Sequence, residues 1–251
     1  MRTIIDDATE VVLLPSADED RRQAYGLRGR AAEALGDCRS AWSDFGEVIA
    51  RFSAIGVVSS DAPASDDLFS ERRNWLMRRG WVALTPSVGQ WADASACFDK
   101  VLAMEANDPY ALTGRACAKL RLGFYKASKE SIDQAVESIS AHHAAESMRS
   151  TEIKRRALHT KSDVYAQLSV HDDKYGKREE LQTQALAALR EAFDVTKLDP
   201  AEANVDFKEL QGYWQHYVEV DPDLQPLYTL RGFQELRRRF NPQSNKAVAM
   251  E

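Results

Sequence analysis

The sequence is short of several things that would have announced a function. It has three cysteines, Cys38, Cys97 and Cys117, an odd number with no C-x-x-C pair. A disulfide framework and a cysteine zinc site are therefore both excluded as expectations, and reduced, buried thiols are expected instead. No apolar run approaches the roughly 20 residues that cross a bilayer. Positive charge is not in excess: the formal net charge is −6 and the pI about 5.5, against general affinity for nucleic-acid phosphates. The opening MRTIIDDATEVVLLPSADEDRR has Asp6, Asp7 and Glu10 around a short apolar run, unlike a secretory signal or an import peptide, so a cytoplasmic location is expected. Glycine-rich phosphate loops, G-x-S-x-G elbows and H-E-x-x-H pairs are missing too.

What remains is a chain of 251 residues, 44% hydrophobic and 29% charged, the composition of a folded globular protein. One continuous body is expected. A phrase recurs in it. Gly36, Gly89 and Gly123 are each followed five residues later by a small residue, Ala41, Ala94 or Ser128. Four residues further stands Phe45, Phe98 or Ile132, and three beyond that Val48, Val101 or Ala135. Positions i, i+4 and i+7 share one stripe of a helix, so each triplet predicts a helix whose small residue admits a neighbour while the larger two fill the contact. Helical patterns precede each glycine, over Ala24 to Leu35, Glu71 to Leu84 and Pro109 to Leu122. The glycine ends a first helix and opens the turn into a second.

A fourth, more divergent pair carries Leu158, Ser162 and Tyr165, then Ala185, Leu189 and Ala192. TPSVG lengthens the second turn, with Pro86 forbidding a continuous helix. Pro109 and Pro200 stand eight residues after the last stripe residue, which predicts that the helices before them run one turn further. Phe207, Leu210 and Trp214 predict another helix after Pro200.

The phrase resembles the tetratricopeptide repeat, a helix-turn-helix unit of 34 residues with a small residue in helix A and A-x3-F in helix B. Gly89 and Gly123 are 34 residues apart. AYGLRGRAAEALGDCRSAWSDFGEVI fits, with Gly29 as the small residue and Ala41 and Phe45 as A-x3-F; the third repeat fits through Ala116, Ser128, Ile132 and Ala135. DPDLQPLYTLRGFQELRRRF resembles the closing segment of many bacterial members, which covers the apolar end that an open array leaves. The resemblance implies an all-α, right-handed α-solenoid of about four helix pairs with a C-terminal cap. Its parts would be an acidic N-terminal segment 1–19, repeats over 20–200 with an insert loop 53–67, a capping region 201–240 and a flexible tail 241–251.

The function implied is non-catalytic protein or peptide binding, as scaffold or adaptor. Helix A positions that the family turns inward are Gln23, Arg30, Asn74, Arg78, Tyr110, Thr113, Arg121, Arg156 and His159. Gly26 and Gly114 replace polar residues of the family's carboxylate clamp, so that clamp is not reproduced. An arginine in every repeat favours an acidic or phosphorylated segment, unless acids such as Glu33 and Asp163 neutralise them. Alternatives from other classes are a regulatory sensor for a small ligand or signalling peptide, and a hydrolase or transferase with a dispersed site. No catalytic residue, cofactor, metal ligand, nucleic acid or membrane is expected. His142 and His143 point about 100° apart on a helix, His171-Asp172-Asp173 sits in a polar linker, and His159 and His216 are read as helix residues without a ligand role. The basic runs ERRNWLMRRG, EIKRRALH and ELRRRF are read as solvated or paired helix faces around core aromatics. Sequence leaves the oligomeric state open.

Overall fold

The computed structural model describes residues 2–13, 18–54, 66–141, 148–171, 177–194 and 203–241, and these are helical with no strand among them. The chain divides into two compact units, Met1–Gly123 and Phe124–Glu251, where one continuous body was expected. The boundary falls between the two helices expected to form the third repeat.

The first unit holds α1 (Arg2–Leu13), α2 (Asp18–Ala34), α3 (Cys38–Ala54), α4 (Asp66–Ala83), α5 (Trp91–Met104) and α6 (Pro109–Arg121). Each packs on the next along the chain from α1 to α6, and α4 also touches α6. The segment expected only to be acidic is thus in part the helix α1. Of the insert 53–67, residues 55–65 lie outside the described residues, and α3 and α4 extend to 54 and from 66.

The recurring glycines are where the sequence places them. Gly36, Gly89 and Gly123 have φ of 79°, 65° and 75°, and they are the positive-φ glycines among the described residues. A side chain is strained in that region, which is why each turn uses glycine. The stripes are buried as the spacing requires. Ala41, Phe45, Val48, Ala94, Phe98 and Val101 have no exposed surface. A Cβ on Gly29 would stand 2.6 Å from the Phe45 ring, and one on Gly80 2.8 Å from the Phe98 ring, so the small helix A residues admit those rings. In the longer second turn, Gln90 N–H reaches Ala83 O at 3.0 Å.

One expectation fails: α5 stops at Met104 without an extra turn. The spare residues fold into a turn in which Asp108 N–H donates to Glu105 O. Asp108 then caps α6, its Oδ1 accepting from the N–H groups of Tyr110 and Ala111 at 2.9 Å each, with Pro109 in the first helical turn. Here the cap, rather than a longer helix, uses the residues before the proline. The helix before Pro200 likewise ends at Ala192, the last stripe residue, and 195–200 lie outside the described residues.

The second unit holds α7 (Tyr125–Ala141), α8 (Met148–His171), α9 (Arg178–Ala192), α10 (Ala203–Tyr213), a π-helical turn Trp214–Val218, a 3-10 helix Pro222–Leu227 and α11 (Arg231–Phe240). α7 packs on α8, α8 on α9, and both the 3-10 helix and α11 return onto this group. The closing helix buries Phe233, Leu236 and Phe240. Phe193, Trp214, Phe233 and Phe240 form one aromatic cluster with ring centroids 4.9 to 6.0 Å apart. Tilted and edge-on rings at such distances suit the aromatic quadrupole. The side chain of Phe207 and the expected tail beyond Asn241 lie outside the described residues.

Candidate functional site

The residues proposed from helix A positions divide between the units: seven in the first and two in the second. In the first unit, α2 and α4 meet along an edge made of large polar side chains over small ones. Gly26 leaves room for the Trp75 ring, 2.8 Å from where a Cβ would be. The Trp75 indole N–H donates to Glu71 at 3.1 Å, and Glu71 pairs at 2.5 Å with the buried Arg22 guanidinium. This fixes the ring. The exposed Arg30 guanidinium lies 5.7 Å over it, within cation–π range. One turn along, Arg78 of α4 pairs with Glu33 of α2 at 2.7 Å. The neutralisation weighed from the sequence therefore holds for Arg78. Arg30 has no ion pair with a described residue.

Gln23 is exposed and donates to Glu19 at 2.9 Å; Asn74 and Arg121 are exposed as well. Tyr110 is half-buried and stacks on Trp81 at 4.7 Å. Thr113 is a correction: it is 1% exposed and its hydroxyl donates to Pro109 O at 2.7 Å, so it is internal to the packing of α6 and offers nothing to a ligand. Trp75, which the sequence assigns to the core with the other aromatics of the basic runs, is half-buried and stands at the centre of this face.

In the second unit Arg156 is half-buried, and His159 is a second correction, with 7% exposure instead of a surface position. Its ring meets Tyr213 from α10, Nδ1 lying 3.2 Å from the phenol oxygen. Nε2 lies 3.5 Å from Asp163 Oδ1 and 3.6 Å from Asp221 Oδ2. Burial pushes the imidazole down to about 4, Asp221 pulling it up and Arg156 pushing it further down. His159 and Asp163 stand at i and i+4 on α8, a spacing readable in the sequence; nothing in the sequence signals Asp221. Nearby, Asp133 of α7 accepts from Lys129 at 2.6 Å and from the Tyr165 hydroxyl at 2.9 Å, and pairs with Lys161 at 3.2 Å. Burial favours its neutral form, but these partners outweigh it and hold the carboxyl below its ordinary value.

No family model matches the chain, and no curated protein matches it. Among solved structures, the crystal structure of BtubC (BKLC) from P. vanneervenii aligns with 97% of this chain and 89% of that one, at 14% identity and a TM-score of 0.47. No described helix is long and apolar enough to cross a membrane.

Proposed function

We propose that the chain is a non-catalytic protein- or peptide-binding scaffold of the tetratricopeptide-repeat type, and that its ligand lies on the α2–α4 edge carrying Arg30, Trp75 and Arg78. The observation that carries this reading is the fixed Trp75 ring with an exposed arginine over it that has no carboxylate partner among the described residues. A rigid aromatic beside a planar cation gives contact area at small entropic cost and a fork for carboxylate or phosphate. The buried stripes leave such positions able to vary without disturbing the stacking. Since Glu33 holds Arg78, an acidic ligand would engage Arg30 first and compete with Glu33 for Arg78.

The test is selection from a displayed peptide library, followed by titration of a recovered peptide at two salt concentrations. Arg30→Glu should weaken an acidic peptide tenfold or more and flatten the salt dependence, with helicity unchanged. A peptide bound equally well by Arg30→Glu combined with Arg78→Glu would remove this edge as the site.

A further inference from the structure

In the cluster of His159, Asp163 and Asp221 in the second unit, the buried His159 Nε2 has no hydrogen-bond partner. One ligand atom from each residue lies within 4.8 Å of the others. The two separations measured from Nε2, 3.5 and 3.6 Å, exceed an ordinary N–H···O hydrogen bond. They match two edges of a tetrahedron around zinc, roughly 3.3 to 3.6 Å for ligand bonds of about 2.0 to 2.2 Å, while the three ligand atoms as a set lie within 4.8 Å, so the two carboxylates must draw together on an ion. The His159 side chain is 9% exposed, and its Nε2 is buried without a hydrogen-bond partner while aimed between the two carboxylates. A lone pair in that position is what a shared ion would use.

The surroundings are those of oriented ligands. The contact of Nδ1 with the Tyr213 hydroxyl holds the ring, and a proton on Nδ1 leaves Nε2 as the ligand atom. Asp221 is the N-cap of the 3-10 helix: Oδ1 accepts from Asp223 N–H at 2.9 Å, which turns Oδ2 toward His159. The Asp221 backbone carbonyl accepts from the Tyr228 hydroxyl at 2.9 Å.

We propose that His159 Nε2, Asp163 and Asp221 bind a divalent first-row cation of the zinc class, with water completing the coordination. The imidazole ligand selects against calcium and magnesium, which take oxygen ligands. Two ligands come from α8 and the third from the turn that leads to α11, so the ion acts as a clip fastening the closing segment to α8. Its role is structural.

The test uses the full chain, stripped with a chelator, re-exposed to zinc sulfate and passed through gel filtration. One zinc per chain by mass spectrometry of the metal, with a rise in melting temperature, is expected. Asp163→Asn and Asp221→Asn should each lower zinc affinity tenfold or more, since even partners that only orient a ligand are worth that much, while His216→Ala on the surface should not. X-ray absorption at the zinc edge should show nitrogen and oxygen neighbours with one imidazole, a readout that stands even if an Asn variant fails to fold. Absence of uptake, uptake that survives both Asn substitutions, or sulfur in the coordination shell would overturn the site.

Discussion

Ala94 has no exposed surface, so a long cation there overpacks the contact and is drawn out of water. Ala94→Arg should cost on the order of 3 to 5 kcal/mol in urea unfolding followed by circular dichroism; an unchanged midpoint would show that this stripe position does not make the contact. Cys97 offers a milder test. It is 4% exposed, and burial pushes its thiol up to about 12, so it is protonated and inert at neutral pH. Pulse labelling of the native protein with a maleimide should modify half-buried Cys38 and Cys117 before Cys97; Cys97 labelled first would contradict its placement. The failures of sequence reading also lie at this scale. Thr113 and His159 were placed by repeat register, which says which way a helix turns a residue but not which group it then meets. For Thr113 the partner is its own helix's Pro109 carbonyl, and for His159 it is Tyr213, 54 residues on.

Among the elements, α6 depends on Asp108 for its start. That carboxylate closes two backbone N–H groups and takes a contact from Arg73 of α4, so one side chain both caps a helix and ties it to another. Asp108→Ala should cost roughly 2 kcal/mol and Asp108→Asn, which keeps a capping oxygen, about half of that, read from chemical denaturation; equal losses would mean that the cap contributes little. The α7–α8 contact has a pH signature. Asp133 has its folded carboxyl held below the 3.8 of the unfolded chain, so its stabilisation is present above that value and fades as pH falls through the folded one. The stability gap between the protein and Asp133→Asn should therefore be largest near neutrality and close below about pH 3.8; a gap constant down to acid pH would refute the assignment. Helices and turns were the most legible features because their signals are local: a glycine at positive φ and a stripe at i, i+4 and i+7. The end of α5 was misread for the same reason, since the proline spacing alone does not show that a capping aspartate claims those residues.

For the molecule as a whole, the sequence made the helical class plain, and far-ultraviolet circular dichroism should show helix-dominated folding; a quarter or more of residues in strands would contradict it. The division after Gly123 was not legible, because a repeating phrase marks each unit's neighbours along the chain and carries no mark where compact packing is parted. The candidate surface was half legible. Arg30 and Arg78 followed from their helix positions, while the Trp75 ring between them, and the join of Asp221 to His159 across 62 residues, exist only once the chain has folded.

Phe98 has a consequence that belongs to descent. Its ring on α5 lies against Gly80 of α4 and Gly114 of α6, with a Cβ at either glycine meeting ring carbons closer than real side chains ever stand. Three positions on three helices thus share one volume. A lineage that acquires alanine at 80 or 114 must surrender part of the ring at 98, and one that shrinks residue 98 frees both glycines to drift. In any set of relatives these three columns should change together, in an order that begins with the phenylalanine.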